Sequence, residues 1–389
     1  MICNEKNKCG GCFYTNVDYK EELQIKEQNV KEILKQYINK DTIFESILSN
    51  EQFLYYKNKL EFSFGDTTKD GKLVLGFHQK NSFFNICEAI NCELVEEDVR
   101  KVVKESEIFF RERNISYRHK KTNKGYLRHL VIRRSYTNNE LLVNLITTSS
   151  IESEKEYYDI LLKDYVNTLL NIDDVKYAGI CHTNNDSLSD KVLYDNIKIL
   201  YGKDYIYEEL FGLKFKISFP SFFQTNTNGA KILYKKVKEY ADINNDIILD
   251  LYCGTGTISQ IVSKDAKQVY GIEIVDDAIK MANENVLANN IKNITFVKDD
   301  VLLWINKNNN LDVDLIILDP PRSGVNPKAL QIISNMNAKK IIYISCKCES
   351  LSRDLFMLTA KGYKLTKVCP VDMFPRTDNI EVVALLIKI

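Results

Sequence analysis

The chain has 389 residues, 44% of them hydrophobic and 27% charged, which is enough for two globular domains of ordinary composition. No run approaches the roughly 18 to 20 apolar residues of a membrane helix, and the start, MICNEKNKCGG, lacks the basic-then-apolar pattern of a secretory leader, so a cytoplasmic protein is expected. A formal charge of zero excludes bulk basicity as a sign of a nucleic-acid partner.

The first notable feature along the chain is a group of thiols. Cys3, Cys9 and Cys12 have the spacing C-x5-C-x2-C, and Cys87 and Cys92 follow later. Disulfides do not persist in a reducing compartment, so such clustering points to metal or catalysis. Four thiolates suit either a [4Fe–4S] cluster or a structural zinc, and spacing alone leans toward zinc.

Residues 19–37 carry a rough apolar stripe of Leu23, Ile25, Val30, Ile33 and Leu34, which predicts an amphipathic helix. From residue 54 to 150, the runs NKLEFSFG, KLVLGFH, RHLVIRRSY and NELLVNLIT predict antiparallel strands, with a helix over 94–113. Residues 99–134 hold 12 Lys and Arg against 3 Glu, about +9, and include Tyr117 and Tyr126. A surface of that kind binds phosphates and stacks bases; a solvated helix and hairpin is the plainer alternative.

After residue 222, strands and helices alternate, predicting a doubly wound α/β sheet. The expected domains are therefore 1–221, an α+β domain with the cysteines and the basic stretch, and 222–389. In LDLYCGTGTIS, Asp250, Gly254 and Gly256 mark a turn at the end of a first strand, and Glu273 ends the next one. Such a turn and acid suit a nucleotide-like cofactor. A dinucleotide fingerprint needs a third glycine where Ser259 stands, so the pattern favours S-adenosylmethionine (SAM) over NAD.

DPPRSG puts Asp319 and Arg322 at the end of a fourth strand, and YISCKC puts Cys346 and Cys348 at the end of a fifth. A thiolate beside a methyl donor has a specific use. Carbon 5 of a pyrimidine is a poor nucleophile until a thiolate adds at carbon 6, and a base must later remove the carbon-5 hydrogen. Cys346 comes first after its strand and is preferred over Cys348 as nucleophile. Glu381 opens the last apolar run and Asp378 lies three residues earlier; both are candidate bases.

Taken in order, FFQTN (222–226), LDLYCGTGTI (249–258), GIEIV (271–275), DPPRSG (319–324), YISC (343–346) and MFPRTDNIE (373–381) resemble the RNA uracil-C5 methyltransferase family. The resemblance implies a class I SAM-dependent methyltransferase, Rossmann-like, preceded by a domain carrying a Cys-ligated cluster. It implies Cys346 as nucleophile, Glu381 as base, and SAM contacts from Gln224, Tyr252, Glu273, Asp300 and Asp319. It also implies a [4Fe–4S] cluster on Cys3, Cys9, Cys12 and Cys92, with Cys92 favoured over Cys87. The family's N-terminal β-barrel RNA module is not expected in this chain, a layout similar to members that act on 23S ribosomal RNA, with a transfer-RNA T-loop enzyme or a catalytically degenerate, cluster-containing RNA-binding protein as the alternatives. A monomer acting on RNA, without a membrane, is expected. Two departures bear on the pocket: Lys347 and Cys348 stand where the family continues Asn-Pro, and Arg376 or Asn379 stands where it often has His.

Overall fold

Near-continuous apolar runs such as IILDL, LIIL and KIIYIS suit strands buried on both faces, and they form the centre of a nine-stranded sheet. The computed structural model describes residues 3–69, 71–149, 152–194 and 196–389. These divide into two units. One holds residues up to Thr15, Leu54–Glu208 and Ile217–Pro220; the other holds Asn16–Phe53, Glu209–Lys216 and Ser221–Ile389. The units interleave along the chain, where the sequence suggested one break after residue 221. Residues 16–53, expected in the first domain, contribute a helix and two short strands to the second unit, a long-range pairing that local pattern does not announce.

In the second unit the sheet order is Ile294–Lys298, Gln268–Glu273, Ile247–Leu251, Leu315–Leu318, Lys340–Ser345, Glu381–Lys388, Tyr363–Asp372, with Ile43–Phe44 and Leu48–Ser49 on the last of these. The first five strands are parallel, and Glu381–Lys388 runs antiparallel to both neighbours. The order reverses at Ile247–Leu251, which has later strands on each side; ligands bind beyond the carboxyl ends of strands at such a switch point. Register then fixes the site. Leu318 pairs with Leu251 and with Tyr343, and Ser345 pairs with Val382. Residues just past those ends (Tyr252, Asp319, Cys346) and the first residue of the antiparallel strand (Glu381) share one edge.

Helix Tyr19–Leu34 buries Glu22, Lys26, Val30 and Leu34, spaced four apart, while Leu23, Ile25 and Ile33 are only half-buried. The expected stripe is thus rotated, because two charged residues occupy the inner face.

The first unit is a seven-stranded sheet in the order Ile86–Glu88, Leu73–His78, Lys59–Asp66, Leu127–Ser135, Glu140–Thr147, Tyr177–Asn184, Lys198–Gly202. Its pairs are antiparallel except Glu140–Thr147 with Tyr177–Asn184, which are parallel and joined through helix Lys155–Leu170. That helix and Glu97–Glu112 cover an apolar core of Phe62, Phe110, Leu130, Val143 and Tyr165. Among the described residues, no helix is long and apolar enough to cross a membrane.

Candidate active site

The turn after Ile247–Leu251 is built by residues with left-handed backbone: Tyr252 at φ 65°, Gly254 at 53° and Gly256 at 71°. A side chain at Gly256 would place its Cβ 2.2 Å from the Phe296 ring. Tyr252, a bulky residue, holds this conformation against its steric preference, as happens where a fold imposes a shape on a site. FFQTN braces the turn. Thr255 Oγ1 donates to the Phe222 carbonyl, and Asn226 caps helix Thr227–Ala241 by accepting from the Gly229 N–H. Gln224 is buried, and its side chain hydrogen-bonds the buried Tyr234 phenol.

Acidic groups converge on this turn. Glu273 accepts from the Gly254 N–H at 3.1 Å and from the Ile274 and Val275 N–H groups at 2.8 and 3.0 Å. Asp250 is fully buried. Ser259 Oγ donates to its Oδ2, whereas its Oδ1 is buried and makes no hydrogen bond. Burial, with Glu273 nearby, pushes the Asp250 carboxyl up to about 7 despite Ser259. Asp300 caps helix Val301–Lys307 through the Leu303 N–H and lies near Tyr252. An orphaned buried acceptor, a glycine cradle and a carboxylate at the second strand end form a donor and acceptor set that fits SAM, with its ammonium and ribose hydroxyls.

On the same edge Cys346 is half-buried, immediately after Lys340–Ser345. Burial raises its thiol pKa; the Glu381 and Asp319 carboxylates raise it further, and the Arg322 guanidinium opposes them. Glu381 is 4% exposed, and burial followed by Asp319 holds it well above the usual carboxylate range, again opposed by Arg322. Asp319 is pushed up to about 7 by burial and Asp250. Cys346, Glu381, Asp319 and Arg322 therefore act on one another electrostatically. Lys347 is exposed and Cys348 is buried in the core, so the departure from the family at these positions leaves one solvated cation and one packing residue. Arg322, which the sequence placed at the strand end without a role, and Tyr234, which it did not single out, belong to the site. Arg322 was legible in DPPR as a cation following a strand-end acid; Tyr234 sits mid-helix with no local signal.

Two frameworks hold these groups. Helix Cys348–Ala360 fixes the Arg322 loop: Ser350 Oγ donates to the Arg322 carbonyl at 2.7 Å, and buried Asp354 accepts from the Val325 N–H at 2.8 Å. Helix Tyr19–Leu34 fixes residues 372–376. Lys26 Nζ lies 2.8 Å from both Glu22 and Asp372, and donates to the Phe374 carbonyl at 3.3 Å. Glu22 Oε1 accepts the Arg376 N–H at 2.7 Å, and the Arg376 guanidinium reaches the Val17 carbonyl and Glu22 while lying over Phe53. Arg376 itself sits at φ 70°. A buried ion network of this kind is a poor source of net stability but a strong constraint on geometry. Here it shapes the turn between Asp372 and Glu381, and the far side of that turn is met by Arg322, which donates to Asn379 Oδ1 at 3.2 Å.

The tRNA (Uracil-5-)-methyltransferase family model matches residues 18–301, and a methyltransferase-domain model matches 243–373. An RNA methyltransferase of Caldanaerobacter subterraneus subsp. tengcongensis is 42% identical over 387 residues, covering 99% of this chain and 84% of that protein. One from Clostridium tetani is 42% identical over 382 residues, covering 98% and 82%. The chain belongs to the RNA uracil-5-methyltransferase family. The structure of the Pyrococcus abyssi tRNA (uracil-54, C5)-methyltransferase with S-adenosyl-L-homocysteine superposes with a TM-score of 0.77 at 26% identity, covering 97% of this chain and 86% of that one. The nine-stranded unit is thus a class I SAM methyltransferase fold.

The cluster that the family resemblance implied is not shown. Among the described residues, no group of three or more His, Cys, Asp or Glu side chains is placed to hold a metal ion. All ten cysteines are free thiols. Cys3, Cys9, Cys12 and Cys92 do line one small cavity of about 30 Å³, with Glu5, Glu93 and Phe77. Cys87 is buried and does not line it. Four thiols facing one enclosed space fit a tetrahedral metal or cubane donor set in kind and number, though not in distance.

The basic stretch also differs from expectation. Tyr126 is in the core and Tyr117 donates to Asp66 at 2.7 Å. Arg118, Arg128 and Arg133 are buried and donate to carbonyls of Ser187, Leu188, Asn185, Ser189 and Phe219, tying down loops rather than facing solvent. Counting charges along a segment does not reveal which ones the fold consumes.

Proposed function

We propose that the protein methylates carbon 5 of a uridine in RNA, with Cys346 as the covalent nucleophile and Glu381 as the proton acceptor. The observation that carries this reading is the meeting of a half-buried thiol, a buried carboxylate and a guanidinium on the strand edge that also bears the cofactor turn. Bound SAM supplies an electrophilic methyl group; Gln224, Tyr252, Glu273, Asp300 and Asp319 are its proposed contacts. Cys346 Sγ, deprotonated, bonds to carbon 6 and makes carbon 5 nucleophilic. Once carbon 5 carries the methyl group, the Glu381 carboxylate takes the carbon-5 proton and the carbon 6–sulfur bond breaks, releasing the thiolate. A carboxylate whose environment raises its proton affinity is better suited to a carbon acid than an ordinary one. Arg322 opposes the two carboxylates at the thiol and so favours the thiolate.

Cys3, Cys9, Cys12 and Cys92 are the proposed ligands of a [4Fe–4S] cluster, with zinc as the alternative. Anaerobic purification with absorption and metal analysis separates the two: a broad band near about 400 nm with iron and sulfide supports the cluster, and stoichiometric zinc replaces it.

The proposed substrate is 23S ribosomal RNA. Transfer RNA is the second reading, favoured by the superposition with a tRNA enzyme over 97% of the chain. Mass mapping of 5-methyluridine in total RNA from a deletion strain, before and after incubation with purified protein and SAM, tests both. A new modification in either RNA supports the activity, and the absence of one in both overturns it.

A further inference from the structure

Phe83 and Phe84 are 63% and 44% exposed, side by side, on the tip (residues 79–85) between strands Leu73–His78 and Ile86–Glu88. The tip is held firmly. The Gln79 N–H donates to the Asn85 carbonyl at 2.9 Å, and Ser82 Oγ accepts from the Phe84 and Asn85 N–H groups. It is also tied to the first cysteine segment, since the Gly10 N–H donates to the His78 carbonyl at 3.0 Å and the Lys80 N–H to the Lys8 carbonyl at 2.7 Å. The Lys120 ammonium sits 4.3 Å from the Phe83 ring and that of Lys121 lies 5.1 Å from the Phe84 ring. Lys120 is offset by Asp190 at 2.6 Å, but Lys80, Lys121 and Lys124 stand exposed on the tip and the adjoining turn.

We propose that this tip is a stacking platform for unpaired nucleotides of the RNA substrate, one base on each ring and the flanking phosphates on the lysines. The inference rests on the RNA reading above and adds a second contact point. Two exposed rings on a rigid tip have their desolvation still to gain, and lysines beside them select a partner that is both flat and anionic. The rings meet edge to face at 89°, with centroids 5.4 Å apart, so they cannot both lie within one continuous base stack. That geometry suits splayed nucleotides of a loop and disfavours a duplex.

The test uses the full chain as isolated and two labelled probes, oligouridylate alone and oligouridylate annealed to oligoadenylate. Replacing both rings in F83A/F84A is expected to weaken single-strand binding about ten- to a hundredfold, with duplex binding and SAM affinity unchanged. F83W/F84W should restore binding and show tryptophan quenching on adding oligouridylate, and Lys121→Ala should lower the salt slope by about one. On an unmethylated RNA that the wild-type protein methylates, F83A/F84A should raise KM and leave kcat alone. Equal losses on both probes, or no quenching in F83W/F84W, overturn the platform. A wild-type protein that methylates RNA, paired with an F83A/F84A variant that binds oligouridylate normally, refutes this proposal alone and assigns the rings to a protein partner. A wild-type protein that neither methylates nor binds RNA removes the functional reading together with it.

Discussion

Cys346 and the cysteines around Cys92 are the same side chain in two settings. At the strand edge, one thiol faces a buried carboxylate, a second carboxylate and a guanidinium. In the first unit, four thiols line one cavity; burial pushes Cys92 up to about 12, and its nearest electrostatic partners are other thiols and Lys57. A single thiol next to a proton acceptor can attack and be released. Several thiols facing one another can share a metal, even with Glu5 and Glu93 on the same cavity wall. The neighbours, not the residue type, separate the proposed nucleophile from the proposed ligands.

The comparison breaks most sharply at Cys346. Cys346→Ser should cost roughly four orders of magnitude or more in kcat, in line with the removal of covalent nucleophiles, with SAM affinity and melting temperature intact. Cys348→Ala, in the core, should keep activity and lose only about 1 kcal/mol of stability; if activity instead followed Cys348, the assignment would be reversed. Glu381→Gln should slow turnover by about 10²–10⁴-fold and let a protein–RNA adduct accumulate with ordinary uridine. Failure to accumulate adduct, with turnover lost, would move Glu381 to an earlier step.

Lys26→Met should be the costliest stability change, about 3–5 kcal/mol in denaturant unfolding, because it leaves Asp372 buried without a cation and Glu22 with Arg376 alone. A neutral result would mean that the network contributes nothing to the turn before Glu381. The smallest effect concerns pH. Burial, with Glu273 nearby, raises the Asp250 carboxyl from its ordinary 3.8 to about 7, so the folded state holds its proton more tightly. Its contribution to stability is greatest below the unfolded value and is lost as pH rises through about 7. Asp250→Asn should therefore raise the melting temperature by a few degrees at pH 8 and have little effect near pH 4. An equal shift at both pH values would contradict the raised pKa.

Much of the site was readable because its residues lie at ends of apolar runs. DPPR, YISC and the acid before VVALLI each mark a strand terminus, and parallel order places those termini on one edge. What was not readable depended on burying charge. Glu22 and Lys26 look like solvated residues on a helix, and only their meeting with Asp372, about 350 positions later, explains their burial. For the same reason the basic run 99–134 promised a charged face, while the fold turned Arg118, Arg128 and Arg133 inward to loop carbonyls. The aromatic residues exposed beside lysines are Phe83 and Phe84, outside that run, where no charge count would have looked.

The central claim is best tested by trapping. Incubating the protein with SAM and substrate RNA containing 5-fluorouridine blocks removal of the carbon-5 substituent, so a covalent complex should persist under denaturing conditions. Peptide mass mapping should then find the nucleotide on Cys346, with no complex formed by Cys346→Ser. A complex that survives Cys346→Ser, or maps to any other cysteine, would contradict the account.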